Sequence, residues 1–466
     1  MTTRQWPAGI LRGHSGVCPH RMWRVCSKTP GALQQASNPD YRHLTHAVTM
    51  AVHIEQVRTM IFAPYCLLPK PRKALRHVRV GRLVQYFHHG DFVDSVLWMW
   101  HKCRSGIAVS IRNNTVVLFV PFCNPDYQNT WSPSAHAQTP QCGLPASRWW
   151  ANGWTLCGDK VSSQLWSDTG VCALQHMLMT ACSEKKLSDC DFIINKRDSA
   201  VVRRDGCDAL NPLDPYQTPM YRPALVPILS LYTGDQFADI AMPLPSDWQR
   251  LTRGTFNAQH PQPPVVLPRL IPWHKKRDCA VFRGSLTGAG NCARTNQRIA
   301  LLQLHNGTTL DLQGTSMNAR WRYCPLQRKI VIPQDIPNVG PWHRIPLHKQ
   351  QETYRYTVTI DGHSGADRLA SLMYGAQCVL KVDAPQHALC PETWASQRMH
   401  AWEHYVPVHA DLTNLEQRLC WAQHAHSARS RMLEHCKAWS LQERENVLEW
   451  WTNITAEMAL LYSRDK

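Results

Sequence analysis

The chain has 466 residues, which points to two large domains, and its 44% hydrophobic and 18% charged residues describe a well-cored globular protein. Its net charge of +17 favours anionic partners, phosphate-bearing small molecules among them. The charge is scattered: the densest runs, Lys70-Pro71-Arg72-Lys73 with Arg76 and His274-Lys275-Lys276-Arg277, are short, and no nucleic-acid fold motif accompanies them. The 18 Cys form no CxxC pair, which argues against a thiol redox pair or a zinc knuckle.

Arg4, Arg12, Arg21 and Arg24 interrupt the apolar stretches before Cys26, so no signal peptide is expected. No run of about 18 apolar residues suggests a transmembrane helix. The expectation is a cytoplasmic protein, in the host cytoplasm or a virion if virus-encoded, with free thiols. The sequons at Asn113, Asn306 and Asn453 are then chance matches.

In chain order, residues 1–45 lack periodicity and read as a variable or poorly ordered extension. Helical segments follow from His46 to Cys103. The β-branched runs Ile107–Ile111 and Thr115–Pro121 flank Arg112-Asn113-Asn114, a hairpin signal. Ser163–Cys182 reads as a helix, Phe192–Asn195 as a short buried strand and Ala224–Leu231 as another apolar run. His260-Pro-Gln-Pro-Pro264 breaks the chain. Beyond it strands alternate with helices: Cys279–Phe282 then Arg298–Leu304, Tyr356–Ile360 then Asp367–Tyr374, Cys378–Val382, and Tyr405–Val408 then Leu412–Ala425. That alternation predicts a Rossmann-like parallel sheet. Arg431–Leu461 reads as one or two closing helices.

Three segments carry candidate chemistry. In Phe282-Arg-Gly-Ser-Leu-Thr-Gly-Ala-Gly290 a strand runs into glycines that admit a ligand close to the backbone; Arg283, Gly284, Ser285 and Thr287 could hold phosphate oxygens. A plain strand-to-helix turn explains this segment equally well. In Ile360-Asp-Gly-His-Ser-Gly-Ala-Asp-Arg368 a second strand-end loop offers Asp361, Gly362 and Arg368, or Arg368 is a helix-surface ion pair. In Asn195-Lys-Arg-Asp198 a carboxylate just past a buried strand could act as general base, or could cap a helix or pair with Arg197. Two metal-like patterns are set aside. Asp189-Cys-Asp191 is a DxD placed before a strand rather than after one, and His400, His404 and His409 straddle a strand start.

These segments, in this order, resemble glycosyltransferase family 90, which contains capsule-associated transferases and Rumi-type protein O-glucosyltransferases; the pattern is similar to versions carried by large DNA viruses. The resemblance runs from about Ile107 to Leu461. It also rests on Leu118-Phe-Val-Pro-Phe122 with Asn129-Thr-Trp131, Pro227-Ile-Leu-Ser230, Phe237-Ala-Asp-Ile240 with Trp248, Thr295-Asn-Gln-Arg298, Tyr354-Arg-Tyr356, and His404-Tyr-Val-Pro-Val408 with Asp411-Leu412.

The resemblance implies an α/β, GT-B-like architecture: two Rossmann-like domains facing across a cleft, with C-terminal helices packing back on the first. The divisions expected are 1–45, an acceptor domain 46–264, a donor-nucleotide domain 265–440 and a crossing helix 441–466. It implies an inverting transfer of glucose or xylose from a UDP-sugar to a hydroxyl on a protein, glycan or lipid, with no cofactor and no metal. Asp198 would be the base. Arg283, Gly284, Ser285, Thr287, Asp361, Gly362, Arg368 and either Arg294 or Arg298 would hold the donor. Ser199 and Ala200 stand where the family has an aromatic and a Pro, and Asp367 stands where it has an aromatic. Those departures motivate an alternative, a catalytically inactive member acting as a structural or binding protein.

Overall fold

The computed structural model describes residues 92–123, 168–204, 225–253, 266–317 and 339–461, apart from positions 104, 196, 289–291, 386–387 and 389. All of these fall within one compact unit. The expected extension, most of the helical region before Cys103, the Lys70–Arg76 run and the Pro-rich break lie outside the described residues.

The first sheet has the order β2-β1-β3-β4-β5, formed by β1 (Ser105–Arg112), β2 (Thr115–Cys123), β3 (Cys190–Ile194), β4 (Ile228–Ser230) and β5 (Ile240–Ala241). β1 runs antiparallel to β2 and β3, while β3, β4 and β5 are mutually parallel. The hairpin turn is Asn113-Asn114, both left-handed at φ 50° and 58°. Two successive left-handed residues match the twist of a two-residue hairpin loop, and Asn tolerates that conformation. β1 and β3 are buried along their whole length, so they read as unbroken apolar runs rather than alternating ones. The first sheet is flanked by α1 (Phe92–Lys102) and α2 (Asp168–Glu184), and α3 (Pro245–Leu251) packs on α2.

The second sheet is wholly parallel, in the order β10-β9-β8-β6-β7. Its strands are β6 (Arg277–Leu286), β7 (Leu310–Met317), β8 (Tyr354–Thr359), β9 (Cys378–Val382) and β10 (Val406–Val408). Helices α4 (Gln297–Gln303), α5 (Leu347–Thr353), α6 (Leu369–Leu372) and α7 (Leu415–His424) alternate with them. This is the Rossmann-like α/β pattern expected of the second half, although the expected Asp367–Tyr374 helix shrinks to the four residues of α6.

The closing segment is a single 36-residue helix, α8 (His426–Leu461), roughly 54 Å long at 1.5 Å per residue. That length lets it touch both sheets. Trp451 packs on Phe192 of β3 with ring centroids 5.9 Å apart, and Cys436 Sγ donates to the His404 carbonyl at 3.2 Å. Between these contacts a buried ion network joins three elements. Arg250 of α3 pairs with Asp247 and with Glu443 of α8, and donates to Ser371 Oγ of α6. Tyr374 adds a hydrogen bond to Glu443 at 2.8 Å.

Candidate functional site

The carboxyl ends of parallel strands are where open α/β sheets bind ligands. Here the loops after β6 and β8 meet at that edge. The Gly288 N–H donates to His363 Nδ1 at 3.1 Å, which leaves the ring proton on Nε2. Gly288 sits at φ +115°, a conformation a side chain would strain. Asn296 caps α4: its Oδ1 accepts from the Arg298 and Ile299 N–H groups at 3.0 and 3.3 Å, and its Nδ2 donates to the Thr287 carbonyl at 3.3 Å. Thr287, Gly288, Thr295–Gln297, Asp361–Ser364, Pro385, Ala388, Cys390 and Pro391 line a pocket that opens to solvent at this edge.

Two guanidinium groups lie beside this pocket. Arg298 donates to three backbone carbonyls: Nε to Asp361 at 3.0 Å, Nη1 to Ser285 at 2.7 Å and Nη2 to Ile360 at 2.9 Å. It thereby splices the loop after β6 to the loop after β8. Burial, with the nearby Arg368 charge, pushes its pKa down to about 10, so it stays cationic at neutral pH. Arg368 Nη1 donates to the Arg283 carbonyl at 2.7 Å. Two cations here, Arg298 buried and Arg368 half-buried, favour an anionic ligand. Asp361 Oδ1 accepts the Ala366 N–H at 2.8 Å, its Oδ2 is shielded without a hydrogen bond, and burial pushes the carboxyl pKa up.

The other expected donor residues are placed as follows. Thr287, Asp361 and Gly362 reach the pocket. Gly284 lies against Arg368, whose Nη2 would be 3.3 Å from an added Cβ. The Ser285 hydroxyl pairs with that of Ser316 at 2.6 Å, and Arg294 is exposed on the loop before α4. Arg283, expected to contact phosphate, has a different commitment: Nη2 donates to Asp311 Oδ1 at 2.8 Å and Nη1 to the Asp311 carbonyl at 2.7 Å. Asp311, on the neighbouring strand, supplies the counter-charge a buried guanidinium requires.

The segment carrying Asp198 follows β3. Asn195 Oδ1 accepts the Arg197 N–H at 2.9 Å and Asn195 Nδ2 donates to the Ser199 carbonyl at 2.8 Å, so Asp198 sits at the tip of a held turn, exposed. Tyr232, just past β4, connects this turn to the pocket. Its ring packs against Ala200 and against Cys390, which lines the pocket, and its phenol pKa is pushed up by burial and by the charges of Asp367 and Asp198. The segment after Asp198 is fastened to the pocket wall directly, the Ala200 N–H donating to Cys390 Sγ at 3.3 Å.

The residues of the two metal-like patterns are placed as follows. β3 begins at Cys190, two residues earlier than expected, so Asp191 lies in the strand, paired with Arg112 at 2.8 Å, while Asp189 accepts the Asn113 N–H at 2.7 Å. The His400 N–H donates to His404 Nδ1 at 3.1 Å, and His409 is apart, its N–H given to Asn414. Among the described residues no three His, Cys, Asp or Glu side chains group as metal ligands.

Sequence reasoning missed Thr295, Asn296, His363, Ser364 and Cys390 as pocket residues. Asn296 had a signal, a capping residue directly before a helical run, and His363 lay inside a segment already singled out. Cys390 had none.

The family profile of Glycosyl transferase family 90 matches residues 162–464. The chain belongs to that family. It is 26% identical over 455 residues to the uncharacterized protein 179R of Invertebrate iridescent virus 6, covering 79% of this chain and 37% of that one. It is 30% identical over 378 residues to the uncharacterized protein 035R of Invertebrate iridescent virus 3, covering 72% and 33%. It is 25% identical over 191 residues to the O-glucosyltransferase LpsA of Dichelobacter nodosus, covering 41% and 51%. The chain thus spans about a third of the length of the two viral relatives. Among the described residues, no helix is long and apolar enough to cross a membrane.

Proposed function

We propose that the chain is a glycosyltransferase that moves a sugar, glucose or xylose, from a UDP-sugar to an acceptor hydroxyl with inversion and without a metal. The observation that carries this is a junction between the two halves: two residues after Asp198, the Ala200 N–H donates to Cys390 Sγ of the pocket wall at 3.3 Å, and Arg298 and Arg368 bind the loops that border that pocket. The two sheets would be the two domains of a GT-B arrangement, the donor lying at the carboxyl edge of the second.

In the proposed step, the Asp198 carboxylate takes the proton of the acceptor hydroxyl as that oxygen attacks the anomeric carbon. The bond from that carbon to the diphosphate breaks, and UDP leaves with the electron pair. The fixed charges of Arg298 and Arg368 favour the charge growing on the leaving group, without reorganising. The LpsA relative is named for O-glucosyl transfer, which supports glucose as the first donor to try.

The test is Asp198→Asn, with UDP-sugar turnover and UDP binding measured separately. Turnover is expected to fall by about 10²–10⁴-fold, the usual worth of a general base, with binding intact. Full turnover in the variant would refute the base assignment. UDP binding without turnover in the unaltered chain would favour the inactive-member reading.

A further inference from the structure

We propose that Asp239 is a positioning residue for Asp198, fixing the general-base turn through a buried relay of Asn195, Ser230 and its own carboxylate. This rests on the reading of Asp198 as the base. Asp239 lies one residue before β5 and is 5% exposed. Its Oδ1 accepts the Val201 N–H at 2.8 Å and its Oδ2 the Val202 N–H at 2.6 Å. The Ser230 hydroxyl, at the end of β4, donates to Oδ1 at 2.6 Å. Ser230 Oγ in turn accepts from Asn195 Nδ2 at 3.0 Å, and that same Nδ2 donates to the Ser199 carbonyl.

The relay thus holds the chain before Asp198 through Asn195 and the chain after it at Ser199, Val201 and Val202. The relay's own residues stand at the ends of parallel strands, which are rigid elements: Asn195 directly after β3, Ser230 last in β4 and Asp239 directly before β5. Asp198 itself, exposed at the tip, gets its aim from them. A base held on a rigid frame can abstract a proton at a fixed distance, and small misplacements of such a group cost rate steeply. A second fastening comes from the other half of the chain, where the Ala200 N–H donates to Cys390 Sγ at 3.3 Å and Cys390 lines the donor pocket. Asn195, Ser230 and Asp239 do not line that pocket, and substituting Ser230 or Asp239 leaves the Ala200–Cys390 bond its own partners, so loosening the relay should alter catalysis far more than donor binding.

The experiment compares Ser230→Ala and Asp239→Asn with the unaltered full chain. It measures UDP-sugar turnover, donor KM and amide hydrogen exchange of the peptide covering residues 197–202. Ser230→Ala removes one link of the relay without introducing a charge and guards against a misfolded Asp239 variant. The expected result is a kcat fall of tenfold or more in both, donor KM within twofold, and faster exchange confined to 197–202 and 230–240. Unchanged exchange in that peptide, or unchanged kcat despite faster exchange, overturns the proposal. A KM that rises in step with the kcat loss also overturns it, since that marks general disruption. Asp198→Asn is measured alongside. If it keeps full turnover, the base reading itself fails, whereas unchanged exchange in the relay variants sinks the relay alone.

Discussion

Arg283 on β6 and Asp311 on β7 form a buried ion pair, with Nη2 and Oδ1 2.8 Å apart and the Tyr354 hydroxyl bonded to the other carboxylate oxygen at 2.6 Å. Removing one partner leaves an uncompensated buried charge, which costs about 3–5 kcal/mol. Arg283→Ala and Asp311→Asn should each lower unfolding stability in denaturant titrations by that order. Against the cost of burial, hydrogen bonds from Arg283 and Tyr354 hold the Asp311 carboxyl below its ordinary 3.8. The folded state thus releases this proton more readily than the unfolded one. The pair's contribution is present above about pH 4 and lost as pH falls through the folded value. The stability gap between the natural chain and Asp311→Asn should narrow on acidification below pH 4. A gap that widened there would contradict the assignment.

Gly362 leaves no room for a side chain. A Cβ there would lie 2.3 Å from Thr287 Oγ1 and 3.0 Å from Arg298 Nη2. Thr287 can rotate, but Arg298 is fixed by three carbonyls. Gly362→Ala should therefore cost about 1–3 kcal/mol, the usual range for overpacking, and weaken UDP binding. Adding Thr287→Ala should recover part of the melting temperature by removing the nearer clash.

Cys292 is exposed on the loop before α4, and the Thr295 hydroxyl 3.3 Å from its sulfur holds its thiol pKa below the ordinary value. Thiolate character sets alkylation rate. Iodoacetamide, followed by peptide mass spectrometry, should modify Cys292 several-fold faster than the similarly exposed Cys420. Thr295→Val should slow the reaction at Cys292. UDP should protect it, because Thr295 and Asn296 line the pocket.

Much of this was legible in the sequence, and for identifiable reasons. The Asn113-Asn114 turn and the run Cys378–Val382 show up because turn chemistry and burial of a parallel strand are written locally. The position of Asp198 past a buried strand followed from the same signal. The ion pair of Arg283 was not foreseen because its partner Asp311 lies 28 residues on, and strand pairing is not visible in a local window. The pairing of Asp191 with Arg112, 79 residues away, was hidden for the same reason, although the DxD had already been set aside for its place before a strand. Asp239 and Ser230 each interrupt an apolar run and look like ordinary strand-end polar residues. Only the parallel alignment of β3, β4 and β5 brings them to Asn195. The left-open choice between Arg294 and Arg298 becomes a structural contrast, one exposed and one buried among carbonyls, which no spacing rule distinguishes.

The central claim is that the pocket between the β6 and β8 loops holds the nucleotide of a sugar donor without a metal. The most direct test is thermal unfolding of the purified chain with UDP, UDP-glucose and UDP-xylose, in EDTA. A ligand that binds only the folded state stabilises it by mass action, by about 2.7 kcal/mol at a hundredfold excess over Kd. The account predicts a rise in Tm with UDP and with at least one of the two sugars, reduced by Gly362→Ala. An unchanged Tm with all three at millimolar concentration would contradict it.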